Sequence, residues 1–226
     1  MKQFTKEQQV KFWDSHDAPF KADMVSDTVL DLSKKYIGKK VLDVGGGSGA
    51  LLRAFKKRFK GRKMVSVDIA PNSKDVIQGD CTDLEFKDRS FDALFCLDVI
   101  EHLSDTDLTK CLKEANRVLK KGGHGIFTTM FREKLKVSEV TCPDCGSRFH
   151  KKGHCQVFDQ KRVKSIFKEN GFNIVKMRTL NLGLLSNFKI SASIMYLFGI
   201  DRFLFKKLSL LNTDMFIVVK KVRNPK

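Results

Sequence analysis

The sequence predicts a doubly wound α/β domain on a mostly parallel sheet, and three observations lead there. From about residue 41, short apolar runs alternate with amphipathic segments, as strands do when helices carry the chain between them. A turn made of Gly45, Gly46, Gly47, Ser48 and Gly49 separates the first apolar run from the first amphipathic one. The second apolar run ends on an acid, Asp68. A chain of 226 residues is long enough for one large domain, or a domain with an appendage.

Residues 23–37 read as an N-terminal helix, and the segment before it, with Trp13, as a cover that closes over a ligand or packs on the domain. "KVLDVG" is a buried strand. "SGALLRAFKKRF" is a helix with Leu51, Phe55 and Phe59 on one face. "KMVSVDIA", "DVIQGD" and "FDALFCLDVI" are the second to fourth strands. "TDLTKCLKEANRVLKKGG" is a helix closed by glycines, and "HGIFTTMF" the fifth strand. Residues 132–158 break the pattern with a polar Cys/His segment. "KRVKSIFKENGF" then reads as a helix, and "FNIVKMRTL" and "DMFIVVKKV" as the last strands. Residues 182–211 between those strands are greasy, with Ile200, Phe203, Leu204, Leu208 and Leu211 at helical spacing.

A net charge of +17 implies attraction to something anionic, whether nucleic acid, a membrane surface or a phosphorylated compound. The N-terminus has no apolar core of signal-peptide length, so a cytoplasmic protein is expected, with a peripheral position at the inner membrane face as the alternative. The longest uncharged apolar run, 190–200, falls well short of the about 20 residues that cross a bilayer. Cys81, Cys96 and Cys111 read as buried free thiols.

A strand, a glycine turn and a helix make a cradle for a nucleotide-like ligand. The backbone turns tightly, the ligand lies against main chain, and the N–H groups at the helix start favour electron-rich atoms. Asp68 stands where a carboxylate accepts from ribose hydroxyls. Gly45-x-Gly47-x-x-Ala50 also scans as a dinucleotide fingerprint. No second mononucleotide-binding half follows to hold a nicotinamide, which argues against a dehydrogenase. With Asp43 before the turn, "GDCTDLEF", "SFDALFCLDVIEHL" and "LKKGGHGIFTT" follow in order. In these residues, across about 38–131, the chain resembles the class I S-adenosylmethionine-dependent methyltransferases.

The resemblance implies a single Rossmann-like domain of seven strands in the order 3-2-1-4-5-7-6, with strand seven antiparallel. Residues 1–37 are then a helical cover, 38–131 the cofactor core, 132–158 an insertion, and 159–226 the C-terminal strands with a lid at 182–211. It further implies that Asp43, Gly45, Gly46, Gly47 and Gly49 hold the methionine end of the cofactor. Asp68 binds the ribose and Ile69 packs on the adenine. Asp80 and the Cys81 N–H meet the adenine edge, and the Leu97 backbone meets the methionine portion. Transfer from a sulfonium is an in-line displacement in which alignment does most of the work; a base matters when the acceptor is a weak nucleophile such as a hydroxyl. His102 in "IEHL" is the candidate base, with a cofactor-contacting or loop-orienting role as the alternative. Asp98 and His16 are weaker candidates.

"TCPDCGSRFHKKGHC" carries Cys142, Cys145, His150, His154 and Cys155. Cys-Pro-x-Cys-Gly aims two thiolates at one point, as structural zinc demands. The spacing Cys142, Cys145, His150, Cys155 fits a nucleic-acid-binding knuckle. The wider string resembles an insertion of small-molecule methyltransferases that keeps both histidines, which implies Cys142, Cys145, His150 and His154 as ligands of a closed zinc site, with Cys155 as substitute. The basic run from Arg53 to Lys63 reads as a solvated helix face. Arg132, Lys134, Lys136, Arg148, Lys151 and Lys152 are expected around the acceptor entrance. Beside them, 182–211 is either a helical lid or an interfacial hairpin. The expected acceptor is a small or lipid-linked molecule methylated at oxygen. RNA is the second candidate, and a non-catalytic cofactor-binding scaffold is a third role.

Overall fold

The computed structural model describes residues 3–15, 21–187 and 213–225. Period-two burial on both faces builds its central sheet. In β1 (Lys40–Val44), Val41 faces one layer and Leu42 and Val44 the other. In β4 (Phe91–Leu97), Ala93, Phe95 and Leu97 oppose Leu94 and Cys96 in the same way. The set is completed by β2 (Lys63–Asp68), β3 (Ile77–Gln78), β5 (Leu119–Met130), β8 (Phe172–Leu180) and β9 (Asp214–Lys221), in the order β3-β2-β1-β4-β5-β9-β8. Pairing is parallel through β5, and β9 runs antiparallel to both neighbours, as the resemblance implied.

One layer holds α2 (Lys21–Ser33) and α3 (Ala50–Arg58), which press Val29, Leu30, Leu51 and Phe55 onto the sheet. The other holds α4 (Asp105–Val118) and α5 (Gln160–Glu169), through Leu108, Leu112, Val163 and Phe167. Each fully buried Phe or Leu contributes roughly 1.5–3 kcal/mol, so these two faces carry the stability. Ser104 and Asp159 cap α4 and α5 by accepting from Asp107 and Arg162 N–H. The insertion forms a hairpin, β6 (Glu139–Thr141) and β7 (Arg148–His150), separate from the main sheet.

Two element limits differ from expectation. The helix expected to run to Gly122 and Gly123 stops at Val118, because Leu119 is buried opposite Phe91 and draws the chain into β5 early. The slack before His124 pairs with Ala93 is taken up by Gly122, in the left-handed region at φ 79°. The third strand shrinks to two residues. The lid lies outside the described residues beyond α6 (Leu182–Asn187), as does His16. Cys96 and Cys111 are buried, Cys81 is half-buried, and all six cysteines are free. Among the described residues no helix is long and apolar enough to cross a membrane.

Candidate functional site

The site forms where β1, β2 and β4 end. Gly45 and Gly46 both donate N–H to the Val67 carbonyl, at 2.8 and 3.0 Å, which folds the turn back over β2. Gly46 is obligatory: a Cβ there would sit 1.9 Å from Ser66 Oγ. Gly49 starts α3 at φ 74°, a conformation that costs a side chain strain. Asp43 lies beneath the turn, 2% exposed, accepting from Ser66 Oγ at 2.7 Å. Asp43 and Gly49 support the cradle, and neither lines the cavity above it.

Burial raises the Asp43 pKa to about 7, against the hydrogen bond from Ser66. An acid whose folded-state pKa is raised contributes stability that is complete below its unfolded value near 4 and is lost as pH rises through about 7. Urea unfolding is therefore expected to show stability falling by a few kcal/mol between about pH 4 and 7 from this group. Asp43→Asn should flatten that slope, and an unchanged slope would assign it elsewhere.

Asp68 closes the adjacent wall. Its two carboxylate oxygens accept N–H from Gly47 at 2.8 Å and Ala70 at 2.9 Å, leaving further lone pairs on the cavity side. Burial raises its pKa, opposed by these backbone donors. Ile69, Asp80, Cys81 and Leu97 also line the cavity, as expected. The sequence reading missed that Asp80 is engaged by the N-terminal segment. α1 (Lys6–Asp14), fixed by a Thr5/Gln8 capping box, lies over the opening, and Lys6 Nζ meets Asp80 Oδ2 at 2.5 Å. Burial pushes the Asp80 pKa up, but Lys6 and Thr82 outweigh it and hold it below the ordinary value. The capping box is legible as Thr-x-x-Gln and was the available signal.

The cavity has a volume of about 560 Å³ and continues past Leu97 to a polar wall. Asp98 adopts φ 52°, which aspartate tolerates better than most residues, and Thr128 Oγ1 donates to its carboxylate at 2.8 Å. Lys21, at the start of α2, bridges Asp98 at 3.2 Å and the buried Asp214 at 2.5 Å. His102 faces the cavity with Trp13 edge-on at 4.9 Å and His154 at 4.6 Å between ring centroids. Burial, then the neighbouring His154, lowers its pKa to about 3. The ring is thus neutral at physiological pH and a weak proton acceptor. Glu101 is 1% exposed; Thr129 Oγ1 donates to its Oε2 at 3.0 Å while its Oε1 has no partner. Lys21, Glu101 and Glu133 were not singled out from sequence, because each acquires its place only by packing.

Among the described residues, the four expected zinc donors do not gather into one group. Cys142 and Cys145 sit at the tip of the β6–β7 hairpin, where the Cys142 N–H bonds to the Ser147 carbonyl and Cys145 Sγ meets Ser147 Oγ. His150 is at the hairpin base, opposite Glu139. His150 Nδ1 accepts N–H from Lys152 and His154, so its proton belongs on Nε2, which faces Glu133 Oε1 at 3.6 Å. Cys155, the substitute, points its thiol at the Leu103 carbonyl. The expected thiols and imidazoles thus stand apart in this arrangement, the thiols beyond Thr141 and His150 opposite Glu139. Instead His154 swings to the cavity, held at Nδ1 by Glu133 Oε2 at 2.5 Å.

Lys151 and Lys152 line the cavity as expected of entrance residues; Arg132 and Arg148 do not. Two residues of the basic run on α3 pair with α2, Arg58 with Asp27 and Asp31 and Arg53 with Asp23.

A model described as a methyltransferase domain matches residues 19–177. The chain is 27% identical over 237 residues to the uncharacterized protein MJ0638 of Methanocaldococcus jannaschii, covering 93% of this chain and 95% of that one. It is 34% identical over 110 residues to the ubiquinone biosynthesis O-methyltransferase of Idiomarina loihiensis, covering 42% of this chain and 44% of that enzyme. The Haemonchus contortus phosphoethanolamine N-methyltransferase 2, solved with S-adenosyl-L-methionine, shares the fold at TM-score 0.61 and 18% identity, over 95% of this chain and 60% of that one.

Proposed function

From the premise that this chain belongs to the methyltransferase-domain family, the S-adenosylmethionine-dependent class I enzymes, we propose that it methylates oxygen on a small, anionic, hydroxyl-bearing acceptor. The observation that carries this reading is the single cavity running from the glycine turn and Asp68 to the wall of Glu101, His102 and His154. The cofactor's sugar belongs at Asp68 and its sulfonium near Leu97, which leaves the polar wall for the acceptor. Transfer then needs alignment above all, with the acceptor oxygen held in line with the methyl carbon and sulfur. His102 contributes as a neutral hydrogen-bonding group that orients the acceptor. Hydrogen-bonding groups on that wall suit a hydroxyl-bearing acceptor, whose oxygen they orient toward the methyl. Lys151 and Lys152 favour an acceptor bearing negative charge. An apolar tail on that acceptor is compatible with the same headgroup chemistry.

RNA is less favoured, because α1 covers the opening and no residue of the densest basic run, Arg53 to Lys63, lines the cavity. Incubation with methyl-labelled cofactor and fractionated cell extract is expected to label small molecules or lipid extract. Label confined to RNA or protein would refute the reading, and tight cofactor binding with no labelled fraction would point to a scaffold.

A further inference from the structure

Glu101, His102 and His154 each direct one ligand-type atom at the same point of the cavity wall, all within 4.8 Å of one another. They come from different parts of the chain: the first two follow β4, and the third follows the β6–β7 hairpin. Two buried polar atoms on these residues have no hydrogen-bond partner, Glu101 Oε1 and His102 Nδ1. Leaving such an atom unpaired costs about 1–3 kcal/mol, so two in one place need a reason. His154 adds a third observation. Its Nδ1 is taken by Glu133 at 2.5 Å, so its other nitrogen is the one left for the cavity. A carboxylate behind an imidazole is the support that orients histidine ligands toward a metal. His150 stacks on His154 at 4.6 Å and 17°, which limits rotation of the ring.

We propose that Glu101, His102 and His154 form a site for one divalent first-row transition-metal ion, with Glu133 as the positioning residue behind His154, and that the ion's open positions take the oxygen atoms of the acceptor. Two imidazoles and one carboxylate suit zinc, cobalt or manganese far better than magnesium or calcium, which prefer oxygen alone. A ligand shell at about 2.1 Å brings the three atoms to roughly 3–3.5 Å apart, a closing that side-chain rotation supplies. Three protein ligands leave positions open, as in sites that bind substrate. A cation there lowers the pKa of a bound hydroxyl, whose proton passes to water, and it selects acceptors that chelate through adjacent oxygens. This deepens the proposed O-methylation and rests on it for the acceptor, while the metal site itself does not depend on any activity.

The test is titration of the purified, chelator-stripped full chain with cobalt(II), read by its visible absorption, with cofactor calorimetry on the same samples. One equivalent of cobalt is expected, displaced by zinc. Glu101→Gln, His102→Ala and His154→Ala should each weaken binding at least tenfold, and Glu133→Gln about 10–100-fold. Cys142→Ser/Cys145→Ser should leave it unchanged. Absence of stoichiometric binding by the wild-type chain overturns the site without any variant. Binding lost in the cysteine variant but kept in His102→Ala overturns it in favour of the hairpin thiols. Failure of cofactor binding with intact cobalt binding would instead remove the methyltransferase reading and leave the site standing.

Discussion

Asp68→Ala is expected to weaken S-adenosylmethionine binding on the order of 100-fold, measured by calorimetry. The carboxylate serves two purposes at once. It accepts from the Gly47 and Ala70 N–H groups at 2.8 and 2.9 Å, fixing the glycine turn against the loop after β2. Its remaining lone pairs face the cavity, where the sugar hydroxyls of the proposed cofactor belong. Hydrogen bonds to a charged group contribute about 1.5–3 kcal/mol each, so losing even one pair to the sugar gives tenfold or more. Loss of turn order adds to it. Asp68→Asn should fall between, because the amide keeps one acceptor and turns a donor toward an N–H. The fold should survive both changes, since the two apolar layers do not involve this side chain. Wild-type affinity in Asp68→Ala would remove the ribose assignment.

Gly46→Ala should be the more damaging change to the molecule as a whole, lowering stability by about 3–5 kcal/mol and abolishing measurable cofactor binding. The added methyl would lie 1.9 Å from Ser66 Oγ and 3.2 Å from Asp43 Oδ2. Ser66 cannot yield freely, because its hydroxyl donates to Asp43 at 2.7 Å and both residues are almost wholly buried. Displacing it leaves a buried carboxylate without its partner, while the turn that should touch the cofactor is lifted off β2. Ser66→Ala alone breaks the same hydrogen bond without the clash, so it should cost less and retain cofactor binding. Urea unfolding and calorimetry on the two variants separate crowding from lost pairing. Equal losses would mean that close approach at Gly46 is not what that position requires.

How much of this was legible in sequence follows from the range of the interactions. The strand–turn–helix cradle, Asp68 and the alternating faces of β1 and β4 are local patterns: glycine positions, an acid at a strand end, a period of two. Chain chemistry alone settles these, and Val41 against Leu42 already assigns both layers. The helix end at Val118 was misread because the glycines are a local stop signal, whereas the burial of Leu119 against Phe91 is a contact between distant residues. Cys142 and Cys145 show the converse: close spacing suggested a shared ion with His150 and His154, and the fold leaves thiols and imidazoles apart. Hairpin register sets the thiols at the tip and His150 at the base. What the sequence by itself determined was the fold class and the glycine-turn wall of the cavity, since both rest on local patterns along the chain. Only the tertiary structure decided the polar wall opposite, because Lys21, the Glu101–His102 pair and His154 with Glu133 behind it come together from distant segments. Which of their nitrogens and oxygens are left unpaired is a property of packing that no spacing records.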